Sequence, residues 1–363
     1  MIKYRLLAAL AATLLAFSCT AEQPTPVATS NAVEENSDAL ASLLAGMDFS
    51  GTLLVSKGDD ILLREAVNAA AIDDAQDVNL DTRFAIASMT KSFTAALVLK
   101  LVDEGKLGLD QTLDDLLPDF GVPYAQDVTL RHLLQNRSGI PHYVDIPGWF
   151  DTEVKRTFTD ETFMETLEAL DLKFPPGSDY LYSNVNYYLL ALIIDQYSGM
   201  SYEAYLQSQI LDPLGMSYTG QIYEDADGLA ANYLKNDDGS YEIIPVVNPV
   251  LFRGTASMVS VADDLLAWGQ AVIDGSIYSD AAAAEAFDAD TPMAWNVAKL
   301  PVREEQAVDV LFYNGRLIGY LSLIMLVPEE DGVIIILNNN TVGYENMVGL
   351  ATTLATQYFG DEV

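Results

Sequence analysis

The sequence is poor in cysteine, histidine and positive charge. Its single cysteine, Cys19, lies near the N-terminus. With no second thiol, neither an intramolecular disulfide nor a cysteine-based metal site can form. There are two histidines, His132 and His142, too few for a zinc site built on several imidazoles. Eighteen lysines and arginines face 53 aspartates and glutamates, for a formal net charge of -35. Such a surface repels nucleic-acid phosphates and anionic membrane faces, so neither is expected as a partner. Half of the residues are hydrophobic and 20% are charged, in a chain of 363 residues. That is a globular composition with ample material for a core.

The N-terminus carries a leader pattern. Lys3 and Arg5 precede an apolar run from Leu6 to Phe17. The run is shorter than the ~20 residues a bilayer-spanning helix needs and fits the apolar region of a secretory signal peptide, predicting residues 1–19 as leader. Leu15-Ala16-Phe17-Ser18-Cys19 resembles a bacterial lipoprotein box, although Ala16 stands where leucine is usual. Two readings stay open: lipidation of Cys19, which would tether an exported, cell-envelope or periplasmic protein, or simple cleavage after Ala21. Residues 20–37 lack aromatics and are rich in Thr, Pro, Ser and Glu, the composition of a solvated tether. A single folded domain is expected over 38–363.

Within it, Ser37 to Met47 reads as a short amphipathic helix. Phe49 to Ser56 and Ile61 to Ala66 read as a hairpin around the turn Lys57-Gly58-Asp59-Asp60. The pattern predicts a helix from Ser88 to Glu104, stopped by Gly105. Residues from about 110 to 230 are mostly helical segments broken by proline and glycine. Val308–Tyr313, Gly319–Val327 and Gly332–Leu337 read as strands, and 343–358 as a closing helix. Strands at both chain ends flanking a helical middle imply an α+β fold: an antiparallel sheet assembled from the two ends, flanked by helices, with a mostly helical insertion.

Three short patterns carry chemistry. In Ser88-Met89-Thr90-Lys91 the two reactive side chains share a helix face, so an amine could serve as base for the serine hydroxyl if its pKa is depressed. Twenty-one serines and nine lysines predict roughly 0.5 such spacings by chance, so this pattern alone is equally an N-capping serine beside a surface lysine. Tyr182-Ser183-Asn184 supplies a general acid or base and an amide that orients substrate. Tyr344-Glu345-Asn346 has the same spacing but no strand after it, and reads as a decoy. Tyr313-Asn314-Gly315 lies on a late strand, where the glycine would let substrate approach the backbone. The N–H of Arg316 could then complete an oxyanion hole with that of Ser88; alone, a plain bulge explains this pattern as well.

Order and context decide. The sequence resembles the serine β-lactamase and penicillin-binding superfamily, in its class C-like branch, which includes esterases and D-peptidases. That family carries Ser-x-x-Lys, Tyr-x-Asn and Lys/His-x-Gly in this order. Phe84 to Lys91 is similar to its nucleophile segment. Leu130–Leu134 with Ser138–Pro141, Phe174–Gly177, Leu211–Met216 and Gly254–Trp268 (with Ser260 and Asp264) resemble further stretches. The likeness runs from about residue 45 to 340 and implies a β-lactamase/transpeptidase-like fold.

The resemblance also implies a two-step acyl transfer without metal or cofactor. Ser88 attacks a carbonyl, the Lys91–Tyr182 pair takes its proton, and Tyr182 later protonates the leaving group and activates water. The oxyanion sits on the N–H groups of Ser88 and Arg316. Asn184 contacts the acyl side, while His142 and Tyr143 line the pocket mouth. The substrate is expected to be a small-molecule or peptide acyl compound. One departure matters: Tyr313 stands where the family has Lys or His. A lysine there helps to hold a substrate carboxylate, so an esterase or amidase of uncharged acyl substrates ranks first. Arg316 could restore the lost cation or simply be solvated. A D-amino-acid or D,D-carboxypeptidase, a β-lactamase, and a non-catalytic binder of cell-wall peptides on the same fold are the alternatives. A Ser-His-Asp triad is disfavoured: no Gly-x-Ser-x-Gly elbow occurs, and His132 reads as a structural helix residue.

Overall fold

The computed structural model describes residues 40, 42–68, 77–145, 159–168, 170–223, 225, 227–244, 252–303, 307–340 and 344–360. The leader, the tether and Cys19 lie outside them. The described residues divide into two compact units, those of 40–97, 203–244 and 255–360, and those of 98–202 and 252–254.

The first unit is built on a six-stranded antiparallel sheet. Its strands are β1 (Gly51–Lys57), β2 (Asp60–Val67), β8 (Asn296–Leu300), β9 (Val308–Leu317), β10 (Tyr320–Val327) and β11 (Gly332–Asn338). They lie in the order β2-β1-β11-β10-β9-β8. The hairpin from the start of the chain therefore docks on the hairpin from its end: Gly51 pairs with Asn338 and Lys57 with Gly332. The sequence explains the order. β10 and β11 are near-continuous runs of Leu, Ile, Val and Met, and every residue in them is buried, as suits strands covered on both faces. β2 carries charged residues, is largely exposed and forms an edge, which limits unwanted strand pairing.

Alternation along the strands sorts the two faces. On one face Leu53, Val55, Leu321, Leu323, Met325, Ile334 and Ile336 pack with Met347, Leu350, Leu354 and Phe359 of the closing helix, Tyr344–Phe359. Each such aliphatic side chain contributes about 1.5–3 kcal/mol on burial. The other face carries the helix Ala262–Ile273. Its Gly269 has no room for a Cβ against Leu326, Val333 and Ile324, so the helix lies close on the sheet.

A second, three-stranded sheet in this unit is β3 (Phe84–Ala85), β7 (Met258–Ser260) and β4 (Gly220–Gln221), in the order β3-β7-β4. Its strands have two or three residues, too short for periodicity to reveal; β5 (Tyr233–Lys235) and β6 (Tyr241–Ile243) form a separate two-stranded ribbon. The expected helix from Ser88 resolves into a 3-10 turn, Ala87–Met89, followed by the α-helix Thr90–Asp103. The other unit holds the helices Leu113–Leu116, Leu130–Leu134, Asp160–Glu168 and Asn184–Ser198, within the stretch expected to be mostly helical.

Candidate active site

The segment that delivers Ser88 is fixed from several sides. Arg83, nearly buried, donates from Nε to the Tyr218 carbonyl at 3.0 Å and from Nη1 to Asp225 at 2.8 Å and to the Asp227 carbonyl at 2.9 Å. Phe84 and Ala85 pair with Ser260 and Val259 of β7. The Ile86 N–H donates to the Met258 carbonyl at 3.0 Å, and Thr90 Oγ1 accepts from the Met258 N–H at 3.2 Å. Below this, Phe93 stacks on Trp268 with ring centroids 4.2 Å apart.

Between the short strand and the helix the chain makes a strained turn. Ala87 is buried with φ +49°, a left-handed conformation that costs a residue with a Cβ about 1–2 kcal/mol. Ser88 follows, half-buried, within the 3-10 turn. Strain of this kind persists only where the surroundings hold it.

Lys91 is one turn on and 0% exposed. Its Nζ lies 3.4 Å from Ser88 Oγ and donates to the Thr255 carbonyl at 2.8 Å. Burial drives its pKa well below the usual lysine range, because a cation without water loses its hydration energy. An amine without its proton can accept one, and a serine hydroxyl needs such an acceptor nearby in order to attack.

Strand β9 borders this turn. Residues 308–312 pair with β8, but 313–317 have no strand on that side among the described residues. Tyr313 and Gly315 pair with Ile324 and Ser322 of β10 and so share the face that carries Ile86 and the helix Ala262–Ile273. A Cβ on Gly315 would overlap the Ile86 carbonyl oxygen and the Ser322 hydroxyl. Tyr313 is buried and places a phenol where the resemblance leads one to expect a cation. The residue after Gly315, Arg316, faces the other way. It pairs with Leu321, whose side chain belongs to the core on the opposite face. Desolvation lowers the pKa of its guanidinium, and the charge of Glu345, on the closing helix, partly offsets this. Its side chain therefore does not restore the missing cation beside Tyr313, and only its backbone remains available to this edge.

The second unit gathers the other predicted residues. Asn136, left-handed with φ +53°, accepts through Oδ1 from the Ser183 backbone N–H at 3.1 Å and from Asn186 Nδ2 at 3.0 Å, and through its carbonyl from the Leu181 N–H at 2.9 Å. These bonds hold Leu181-Tyr182-Ser183 extended before the helix Asn184–Ser198. Tyr182 is half-buried and its ring stacks beside His142, centroids 6.4 Å apart. His142 in turn meets Tyr143 edge-on at 4.5 Å. Asn184 Nδ2 donates to Tyr143 Oη at 3.0 Å, and burial raises the pKa of that phenol. His132 sits elsewhere: its Nδ1 accepts from the Thr129 N–H at 3.2 Å while its own N–H donates to Thr129 Oγ1 at 3.3 Å, a reciprocal helix cap. Its remaining edge lies against Gly177. Among the described residues no group of three His, Cys, Asp or Glu side chains could hold a metal ion.

Two contributors escaped the sequence reading. Thr255 acts through its carbonyl, which any residue type would supply, so no signal existed. Ser322 is the one hydroxyl near the middle of β10, and a lone serine in so apolar a strand was a usable signal.

The comparisons agree with this architecture. A penicillin-binding protein of Bacillus subtilis (strain 168) is 30% identical over 318 residues, which are 80% of this chain and 68% of that relative. The D-amino acid amidase of Ochrobactrum anthropi SV3 matches in fold with a TM-score of 0.76 at 20% identity, over 88% of this chain and 98% of that one. A class C beta-lactamase matches with a TM-score of 0.74 at 20% identity, over 91% and 97% of the two chains. The family model described as Beta-lactamase matches residues 40–357, and the chain belongs to that family, whose members include serine hydrolases.

Proposed function

We propose that the protein is a serine hydrolase that works through a covalent acyl-enzyme on Ser88, acting on esters or amides with small, uncharged acyl groups. The observation that carries the reading is the buried Lys91 amine, 3.4 Å from Ser88 Oγ and depressed in pKa by burial. Ser88 Oγ attacks the substrate carbonyl as its proton passes to the Lys91–Tyr182 pair. The carbonyl π bond becomes an oxyanion, placed on the N–H groups of Ser88 and Arg316 at the open edge of β9. Collapse expels the alcohol or amine, which takes a proton from Tyr182. Water, deprotonated by the same pair, then releases the acid and restores Ser88. Tyr182 and Asn184 enter this scheme through the order of the motifs.

The preference for uncharged substrates rests on Tyr313, on the turned-away Arg316 side chain and on a net charge of -35, all unfavourable to a carboxylate. A second reading, hydrolysis of D-peptides, is supported by the penicillin-binding name of the 30% identical relative. Hydrolysis of p-nitrophenyl butyrate by the wild type and by Ser88→Ala tests the proposal. Turnover that falls at least a thousandfold in the variant, with unchanged thermal unfolding, is the expected result. Equal turnover in the two proteins would remove Ser88 from the chemistry. A wild type active only on D-alanyl peptides would select the second reading.

A further inference from the structure

We infer that Ser322 is a positioning residue for the nucleophile, holding the strained turn that presents Ser88; the inference rests on the assignment of Ser88 above. β10 reads Tyr-Leu-Ser-Leu-Ile-Met-Leu-Val and is buried throughout. A hydroxyl there is unfavourable unless it is bonded. Ser322 is 2% exposed, and its Oγ donates to the Ile86 carbonyl at 2.7 Å.

That carbonyl is a junction. It also accepts the Met89 N–H at 3.2 Å, the bond that closes the turn around Ser88, while the Ile86 N–H is held by Met258 at 3.0 Å. The next residue is Ala87 at φ +49°, and the one after it is Ser88. Gly315, directly across from Ser322, leaves the space into which the carbonyl and the hydroxyl both fit. Ser322 thus ties the second residue before the nucleophile to the middle of the large sheet, on the strand next to β9. Without the hydroxyl, the Ile86 carbonyl loses its bond to the sheet, and Ala87 can relax from its left-handed conformation. Ser88 Oγ then moves relative to both the Lys91 amine and the β9 edge. Lys91 itself keeps its bond to Thr255 and its burial.

Covalent capture of Ser88 by a fluorophosphonate reads this without knowledge of the substrate. The Ser88 Oγ–P bond forms, the P–F bond breaks, fluoride leaves, and the hydroxyl proton passes to the base. The second-order labelling rate would be measured from pH 5 to 9, with thermal unfolding, for the wild type, Ser322→Ala, Ser322→Cys and Ser322→Thr. We expect Ser322→Ala to label about ten- to a hundredfold more slowly, as misplacement of a reacting atom does. Its pH midpoint should be unchanged, because Lys91 is untouched, and its Tm should fall by only about 2–4 °C. Ser322→Thr, which keeps the hydroxyl, should return to within about threefold of the wild-type rate. Ser322→Cys, which keeps the volume but weakens the donor, should lie between and decides the matter where the alanine variant does not fold. A wild-type rate in Ser322→Ala or Ser322→Cys overturns the inference, as does a shifted midpoint with an unchanged plateau. A wild type that fails to label overturns the Ser88 assignment itself.

Discussion

The protonation state of Lys91 can be measured through stability, independently of any substrate. Its pKa is pushed well below the ordinary lysine value of 10.5 by burial. Between those two values the unfolded chain carries a proton on Lys91 that the folded chain lacks. Stability then rises with pH, by about 1.4 kcal/mol per unit, because the unfolded state binds one more proton. Acting as a base at pH 7 requires the folded amine to be neutral there. From pH 7 to 9 the wild type should therefore gain about 2.8 kcal/mol relative to Lys91→Met, which has nearly the same length and does not titrate. Comparing the two proteins cancels every other titrating group. The pH-independent offset between them is not diagnostic. It combines relief from burying an amine with the cost of leaving the Thr255 carbonyl without its donor, about 1–3 kcal/mol. The slope is the signal. Urea unfolding of both proteins at pH 6, 7, 8 and 9 measures it. Parallel stability curves, within about 0.5 kcal/mol of a constant separation, would mean that folding leaves the proton on Lys91. The base mechanism would then fail.

Two further outcomes follow from the turn. Gly315→Ala forces a methyl into the Ile86 carbonyl and the Ser322 hydroxyl; it should cost about 1–3 kcal/mol in urea unfolding and slow the labelling of Ser88 at least tenfold, and a variant with wild-type stability would show that the strand can simply shift. Ala87→Gly removes a left-handed penalty of about 1–2 kcal/mol against a glycine flexibility cost of about 0.5–1 kcal/mol, so it should be neutral or more stable than the wild type in thermal unfolding, whereas Ala95→Gly, inside the helix, should lose about 1 kcal/mol; equal losses at both positions would refute the strain.

Five of the six strands of the large sheet were legible because they are strongly patterned; β8, five residues with little apolar alternation, was not. The hairpin at Gly58, the three late strands and the closing helix all announce themselves by apolar runs between turn residues. The small sheet was not legible: Phe84–Ala85 and Gly220–Gln221 each offer two residues, and pairing that short is decided by what surrounds it. Ser88 and Lys91 could be read because helix geometry ties residues three apart. The side-chain direction of Arg316 stayed open in the sequence because facing in a strand depends on register, and the step from Gly315 to its neighbour crosses the sheet. Thr255 contributes only backbone, which no side-chain pattern records.

The pairing of Gly51–Lys57 with Gly332–Asn338 has a consequence for synthesis. A contact spanning almost the whole chain is among the last to form. While the ribosome is still making residues 58–331, β1 has β2 on one side and an open, apolar edge on the other, the kind of surface on which nascent chains associate wrongly. Ser322 is also made late, so the turn at Ile86 has no anchor in the sheet until more than 230 residues after it have been added. A chain cut short before β10 would carry Ser88 and Lys91 in full and still lack the clasp proposed to make them reactive.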